Sequence, residues 1–198
     1  MALPAYCRVQ GVARPTPDSE INFEVWLPAA AGWNGKFQQA GNGGYAGSVP
    51  VASLADGLKR GFATAGTDDG HDGQSPAFAP GHPEKVIDFG HRAVHLTAVH
   101  AKVVVEAFYG KAPSRSYFVG CSDGGREALM EAQRYPADFE GIVVGAPANN
   151  WTRLLTSGVW NWKALTETQG SPPLLPNSRR CSTRPTPTSA PFVIGAGK

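Results

Sequence analysis

The feature that most constrains this chain is a strand-like run that leads directly into glycines, a serine and a helix-like run. Residues 116–119 are strand-like, residues 120–125 read Gly-Cys-Ser-Asp-Gly-Gly, and residues 126–135 are helix-like. Glycines at 120 and 124 would let strand and helix pack closely around a sharp turn that presents Ser122 to a cleft. The pattern predicts a nucleophile elbow, and an idle serine in a glycine-rich turn is the alternative.

A serine nucleophile needs a general base, and every histidine of this chain precedes Ser122. The histidines are His71, His82, His91, His95 and His100. In proteins with this elbow, the orienting acid and then the histidine follow the serine along the chain. We therefore expect the nucleophile half of an esterase, whose base and acid lie outside these 198 residues.

Backbone N–H groups should receive the negative charge that forms when Ser122 attacks a carbonyl. One donor is expected to be the N–H of Asp123, and the other to come from the glycine-rich loop 41–47, for which we assign Gly43. Loss of one such donor typically costs about 3 kcal/mol of transition-state stabilisation. A surface turn is the alternative for this loop, whereas a phosphate-binding loop would end in Lys-Ser or Lys-Thr, which is absent.

Polar and small residues near the ends of the predicted strands are expected to line the substrate cleft. Residues 67–73 read Thr-Asp-Asp-Gly-His-Asp-Gly and follow a predicted strand at 62–65. Arg126 has a second interpretation, a surface ion pair with the acid at 127, 131 or 138, which we favour over a substrate contact. The substrate-binding candidates are Asn42, Gly44, Asp68, His71 and Arg126.

Three histidines could in principle bind a metal, but the sequence does not favour it. His71 lies among aspartates in a loop, where hydrogen-bonded polar side chains are the simpler explanation. His91 and His95 lie four residues apart on a predicted helix without the glutamate of a His-Glu-x-x-His motif, so we expect a polar helix face. We predict no metal and no cofactor in this chain.

Alternating strand and helix patterns predict an α/β fold with a mostly parallel sheet flanked by helices. The strands are expected at 21–27, 36–40, 62–65, 116–119 and 141–147. The longest helix is expected at 86–109, with a stripe toward the sheet formed by Phe89, Ala93, Leu96, Val103 and Ala107. Tryptophans at 151, 160 and 162 either stack on a phenolic ring or pack in the core.

Composition excludes several function classes and suggests a boundary near residue 170. The 18 basic and 16 acidic side chains are evenly spread, which does not favour nucleic acid or an anionic membrane. We see no apolar run long enough for a membrane span and no signal-peptide pattern. Residues 1–170 are predicted to be a partial hydrolase domain, and residues 171–198, rich in Pro, Ser and Thr, a disordered tail.

Several segments, in the same order, resemble the tannase and feruloyl esterase family, over residues 3–170. The matching segments include Gly-Cys-Ser-Asp-Gly-Gly-Arg at 120–126, Tyr-Pro-Ala-Asp-Phe-Glu-Gly-Ile at 135–142, Gly-Ala-Pro-Ala at 145–148, Gly-Trp-Asn-Gly-Lys-Phe at 32–37, and the glycine loop at 41–47. The resemblance implies hydrolysis of esters of hydroxylated aromatic acids by a Ser-His-Asp triad in an α/β-hydrolase fold that carries a large lid. Ser122 matches the nucleophile.

The resemblance also implies features for which this chain holds only part of the residues. Cys121 matches a cysteine that forms a disulfide with a cysteine beside the catalytic histidine, and that partner is absent here. The family carries calcium in its lid, which has no counterpart in this sequence, and the abrupt departure at Ser171 suggests a truncation or a frameshift. Family members are exported, so a secreted or periplasmic location is expected. A small aromatic ester is the expected partner.

Two hypotheses of other classes stay open at this point. The first is a non-catalytic hydrolase remnant that binds a small aromatic ligand. The second is a metal-dependent hydrolase that uses His71, His91 or His95, which predicts indifference to Ser122→Ala.

Overall fold

A computed structural model describes residues 3–167 and 192–195, which form one mixed sheet with helices on both faces. The strands are β1 Tyr6–Ala13, β2 Ile21–Pro28, β3 Phe37–Ala40, β4 Ala63–Thr67, β5 Ser116–Cys121, β6 Gly141–Gly145 and β7 Phe192–Gly195. The helices are α1 Val51–Lys59, α2 Pro83–Ile87, α3 Ala93–Tyr109, α4 Asp123–Arg134 and α5 Trp151–Glu167. Short 3₁₀ turns lie at Ala30–Gly32 and Pro76–Phe78, and a π turn at Asp88–Arg92 joins α2 to α3.

The strand order in the sheet is β1-β2-β4-β3-β5-β6-β7, with a parallel centre. β4, β3, β5 and β6 pair in parallel, while β1 with β2, β2 with β4, and β6 with β7 pair antiparallel. Parallel neighbours need a crossover, and a helix lies on each connection between the central strands. The predicted α/β-hydrolase-type fold is confirmed. β1 and β7 were not predicted.

Apolar side chains fill the space between the sheet and the helices on each face. On one face, a large cluster includes Val25, Phe37 and Phe118 of the sheet and Ala98 of α3, all fully buried. On the other, α1 buries Leu54 and Leu58 against Trp26 and Ala40. The sheet is therefore fixed on both sides, and its strand ends hold the loops in place.

The stripe predicted on the long helix is wrong in its second half. Val103 is 62% exposed and Ala107 is also exposed, whereas Val94, Ala101 and Val105 are buried. The buried face of α3 runs through Val94, Ala98, Ala101 and Val105 at spacings of four, three and four, whereas the predicted spacing of seven from Leu96 leads to Val103 on the exposed side. The π turn at Asp88–Arg92 is not the cause, because Ala93, the residue that follows it, is buried as predicted.

The predicted disordered tail, 171–198, lies largely outside the described residues. Within it, Phe192–Gly195 forms β7, which pairs antiparallel with β6, so the expectation differs from the structure for these four residues. The end of α5 at Glu167 lies three residues before the predicted boundary. In the described part of the chain, none of the helices combines the length and apolar character that a membrane crossing requires.

Candidate active site

Ser122 occupies a strained turn between β5 and α4. Its backbone has φ 61° and ψ −115°, a conformation that L-residues rarely adopt and that costs about 1–3 kcal/mol. Three main-chain hydrogen bonds hold it: its N–H donates to the Gly145 carbonyl at 3.0 Å, and its carbonyl accepts from Ala148 at 2.9 Å and from Arg126 at 3.1 Å. The residue is exposed, so the turn presents the hydroxyl to solvent at the start of a helix.

The elbow requires glycine because the backbones on either side are almost in contact. A Cβ on Gly120 would lie 2.0 Å from the Gly124 carbonyl oxygen, and one on Gly124 would lie 2.9 Å from the Asn42 carbonyl oxygen. A Cβ on Gly125 would lie 2.4 Å from the Gly145 carbonyl oxygen. Side chains at these positions would separate β5, α4, β6 and the glycine-rich loop, so the Gly-x-Ser-x-Gly pattern is a packing requirement here.

Backbone strain is concentrated at one edge of the sheet. The carboxyl ends of β3, β4, β5 and β6 lie at that edge because these strands are parallel. Among the described residues, the non-glycine residues with positive φ are Ala46, Asp69, Ser122, Ala146 and Asn150. All five lie in segments that follow one of these strands, and clustering of strained residues is typical of functional sites.

The glycine-rich loop is attached directly to α4 through Asn42. The Asn42 carbonyl accepts the Gly124 N–H at 2.9 Å, and the Asn42 N–H donates to Glu127 Oε2 at 3.1 Å. The Asn42 side chain donates to the Thr67 carbonyl at 2.8 Å, which ties the loop to the end of β4. Since the Asn42 N–H already has an acceptor, the next N–H of the loop, that of Gly43, is the better candidate to face an oxyanion.

Gly43 and Gly44 lie on the outer surface of this loop. Both are exposed, and a Cβ on Gly43 would meet nothing within 4 Å, so a ligand can approach its backbone. Gly44 has φ 65°, and a Cβ there would lie 2.4 Å from Gln74 Oε1. The Asp123 N–H is at the first position of α4, where no intrahelical carbonyl can accept it. The oxyanion roles of Gly43 and Asp123, and the substrate contact of Gly44, stay predictions.

Arg126 is buried under the elbow, so the surface location predicted for it is wrong, although one predicted partner, Glu127, lies 4.0 Å away. Its guanidinium forms a two-point contact with Asp123, at 2.6 and 3.2 Å, and stacks over the Phe89 ring at 4.3 Å from the centroid. A third N–H donates to the Gly90 carbonyl. The side chain is only 9% exposed, so its hydrogen bonds are directed into the protein. A role in substrate binding stays a prediction.

Behind the elbow lie carboxylates that the sequence did not single out. Asp69 and Glu127 are fully buried, and one oxygen of each lies within 4.8 Å of the other and of an oxygen of Asp123. Burial raises the pKa of both Asp69 and Glu127 well above the ordinary range, and the nearby carboxylates add to this effect. Burial and the neighbouring Asp138 raise the pKa of Glu131, one turn further along α4, to about 9.

This acidic cluster does not fit calcium or another hard cation. Calcium takes six to eight oxygen ligands, and a cationic side chain already in contact with those oxygens would repel it. Here the Arg126 guanidinium already contacts Asp123 and lies 3.9 Å from Asp69 and 4.0 Å from Glu127. The positive charge in the cluster is therefore supplied by the protein, and we assign it no metal.

The remaining rim candidates have structural partners. Asp68 accepts hydrogen bonds from the backbone and side chain of Asn22 and from the Gly70 N–H, at 2.7–3.0 Å. His71 Nε2 lies 2.5 Å from the Tyr45 carbonyl and therefore donates to it, leaving a buried Nδ1 without a partner among the described residues. Both side chains shape the loop after β4, and their contact with substrate stays a prediction.

His91 and His95 form the polar helix face that the sequence favoured over a metal site. His91 Nδ1 lies 2.8 Å from the Tyr135 hydroxyl, and His95 Nδ1 lies 2.6 Å from Asp138. Desolvation on burial lowers the pKa of His91, with the neighbouring arginines in support. Each histidine is thus paired with its own group after α4, and the two do not converge on one site.

An open cleft of about 510 Å³ lies beside the elbow. The described residues that line it include Gly41, Asn42 and Gly43 of the loop, and Gly120 and Cys121 of β5. The Cys121 thiol is exposed and free, and so is Cys7, while Cys181 lies outside the described residues. On the opposite side of the rim, the tryptophan at 151 contacts the rings at 45 and 89, whereas those at 160 and 162 are more than half exposed and not in the core.

Comparison with known proteins relates this geometry to characterised folds. The family model described as tannase and feruloyl esterase matches residues 7–179. An uncharacterized esterase of Xanthomonas campestris pv. campestris is 47% identical over 165 residues, which is 82% of this chain and 28% of that protein. A probable feruloyl esterase B of Aspergillus clavatus is 41% identical over 150 residues, which is 76% of this chain and 28% of that protein.

Solved structures give the same result. The crystal structure of feruloyl esterase B from Aspergillus oryzae matches with a TM-score of 0.76 and 38% identity, covering 81% of this chain and 32% of that one. Tannin acyl hydrolase from Aspergillus niger matches with a TM-score of 0.66 and 31% identity, covering 74% and 29%. The chain therefore spans less than a third of the length of these relatives. The resemblance drawn from the sequence is confirmed: this chain belongs to the tannase and feruloyl esterase family.

Proposed function

We propose that Ser122 is the nucleophile of a carboxylic ester hydrolase that acts on esters of hydroxylated aromatic acids. The observation that carries the proposal is the backbone of Ser122, which is strained, exposed and held beside a glycine-rich loop. Glycine would adopt this backbone conformation without strain, so a serine is not needed here for folding. The strain at a non-glycine residue persists only where surrounding contacts enforce it. The names of the relatives, esterases and a tannin acyl hydrolase, support the reaction class.

The reaction is acyl transfer in two halves. Ser122 Oγ loses its proton to a base and attacks the ester carbonyl carbon, and the Asp123 and Gly43 N–H groups receive the charge on the carbonyl oxygen. The intermediate collapses, and the base gives the proton it took from Ser122 to the leaving oxygen, so that a neutral alcohol departs. The aromatic acid stays on Ser122 as an ester. Water then attacks this ester with the same base, which releases the acid and restores the hydroxyl.

We propose that the base and its orienting acid come from sequence beyond these 198 residues. No histidine follows His100 here, and among the residues that the structure describes, His71, His91 and His95 are engaged elsewhere. Loss of the histidine from a serine triad costs on the order of 10⁶ in kcat. The 198-residue chain alone should therefore hydrolyse esters very slowly, while its serine keeps its placement.

Reaction with a fluorophosphonate probe, with and without added imidazole as a substitute base, tests this proposal. Peptide mapping should find the probe on Ser122, and imidazole should raise the rate. Ser122→Ala should abolish labelling, whereas Ser157→Ala, at an exposed serine of α5, should not. In the same samples, methyl ferulate should be hydrolysed faster with imidazole in a Ser122-dependent way.

Labelling that persists in Ser122→Ala would contradict the proposal. So would a folded chain that shows neither labelling nor imidazole-dependent turnover, a result that favours a non-catalytic remnant. Loss of turnover on chelation, with indifference to Ser122→Ala, would indicate a metal-dependent hydrolase.

We also propose that the protein is exported. The support is the exposed Cys121 thiol beside Ser122, which matches the family disulfide and needs an oxidising compartment to pair. The full-length protein should appear outside the cytoplasm of its host with Cys121 oxidised, and a reduced, cytoplasmic protein would contradict this.

A further inference from the structure

We propose that Glu127 is a positioning residue that fixes the oxyanion loop by accepting the Asn42 N–H, with Asp69 as its supporting carboxyl. The inference rests on the proposed function, since it assigns a purpose to the loop. Glu127 lies one turn into α4, five residues after the nucleophile, and contacts no solvent. Its role would be to set where the Gly43 N–H points relative to Ser122.

The contact between helix and loop has two hydrogen bonds at one residue. Asn42 donates its N–H to Glu127 Oε2 at 3.1 Å and accepts the Gly124 N–H on its carbonyl at 2.9 Å. Both partners belong to α4, so the peptide groups on either side of Asn42 are locked to the helix that starts at Ser122. A hydrogen bond to a charged carboxylate is stronger than one between neutral groups, and two carboxyl groups that share one proton still hold one negative charge.

The Glu127 carboxyl group packs tightly against the loop at Gly41. A Cβ on Gly41 would lie 2.8 Å from Glu127 Oε2 and 2.7 Å from the Gly124 Cα. The carboxyl group therefore lies directly against the glycine, and beside it the loop backbone meets the backbone of α4 at Gly124. A shorter side chain at 127 would leave the Asn42 N–H buried without an acceptor.

Asp69 completes this arrangement from the loop after β4. Among the described residues, both Asp69 oxygens and Glu127 Oε1 are buried and lack a donor, although an oxygen of each residue lies within 4.8 Å of the other. One proton shared between Glu127 Oε1 and an Asp69 oxygen would give both of these atoms a hydrogen-bond partner. Burial, which raises the pKa of both, keeps that proton in place, and Arg126 with Asp123 supplies the neighbouring charge pair.

Paired substitutions at Glu127 separate positioning from general stability. Glu127→Met keeps the length of the side chain but removes the acceptor, while Glu127→Gln keeps an oxygen for Asn42 and an N–H for Asp69. Glu131→Met is the matched control, since Glu131 is equally buried on the same helix and, among the described residues, has no hydrogen bond to the loop. Thermal melts establish which variants are folded.

The main readout is backbone amide NMR of the loop in the 198-residue chain. In the wild type, the Asn42 amide should be shifted downfield and protected from exchange. In Glu127→Met, the amide hydrogens of Asn42 and Gly43 should exchange with solvent at least about tenfold faster than in the wild type. It should also lower the imidazole-assisted phosphonylation rate of Ser122 by about 10- to 100-fold. Glu127→Gln should restore both, and Glu131→Met should leave both unchanged.

The inference is overturned if the wild-type Asn42 amide exchanges like an exposed loop amide, a result that needs no variant to fold. It is also overturned if folded Glu127→Met leaves the loop amides unchanged, or if Glu131→Met loosens the loop equally. If the amide results hold but Ser122 is never labelled, the proposed function fails and the loop attachment stands. If Ser122 is labelled but the loop amides exchange at the wild-type rate in Glu127→Met, only this inference fails.

Discussion

Gly120→Ala should lower both the free energy of unfolding and the reactivity of Ser122, because β5 and α4 pack there too closely to accommodate a side chain. The new Cβ would lie 2.0 Å from the Gly124 carbonyl oxygen and 2.3 Å from its carbonyl carbon. Contact at ordinary separation, about 3.5 Å, requires strand and helix to part by more than about 1 Å. Overpacking of this kind costs about 1–3 kcal/mol, and a displacement of 1 Å at a reacting group costs about 100-fold in rate.

Urea unfolding and the rate of Ser122 phosphonylation measure the two effects separately. Gly158→Ala is the matched control, since a Cβ there meets nothing within 4 Å and the residue lies within α5, where alanine is favoured. The control should keep the wild-type labelling rate and unfold at the same or a slightly higher urea concentration. A folded Gly120→Ala protein that matches the wild type in both measurements would refute the packing argument.

Two further predictions concern the buried charges. Glu131→Gln should become more stable relative to the wild type as the pH rises from 5 to 8. The pKa of Glu131 is about 9 in the folded protein and 4.5 in the unfolded chain, so the wild type loses about 1.4 kcal/mol of its free energy of unfolding for each pH unit between these values. Urea titrations at several pH values check this, and parallel pH profiles would contradict it. Arg126→Met should cost about 3–5 kcal/mol in urea unfolding because it leaves Asp123 buried without its cation, and a loss below about 1 kcal/mol would show that the pair adds little.

The elbow could be predicted from sequence because its determinants are local. Glycines at 120, 124 and 125, a serine between them, and the runs on either side specify the turn without reference to the rest of the chain. The parallel centre of the sheet followed in the same way from alternating strand and helix patterns. In contrast, β1 lies at the edge of the sheet with most of its residues exposed, and the glycine at position 11 interrupts its apolar positions, so its strand pattern was weak.

The buried acids of α4 could not be predicted from the same patterns. Asp123, Glu127 and Glu131 repeat every four residues, which is also the pattern of an ordinary solvated helix face. Their burial depends on Arg126 and on Asn42, 85 residues away from Glu127, and such partners appear only once the sheet has formed.

The error on α3 arises because apolar residues lie on both sides of this helix. Val99, Val103 and Phe108 are exposed although they are apolar, so periodicity alone did not distinguish their side from the buried one.

A crystal structure of the chain with Ser122 phosphonylated tests the central claim most directly, because the adduct imitates the charged intermediate. The account predicts a phosphonyl oxygen about 2.7–3.1 Å from the backbone nitrogens of Asp123 and Gly43, with the Asn42 hydrogen bonds to α4 intact. An adduct oxygen directed to solvent, with neither nitrogen in contact, would contradict the assignment of this turn and loop as a catalytic site.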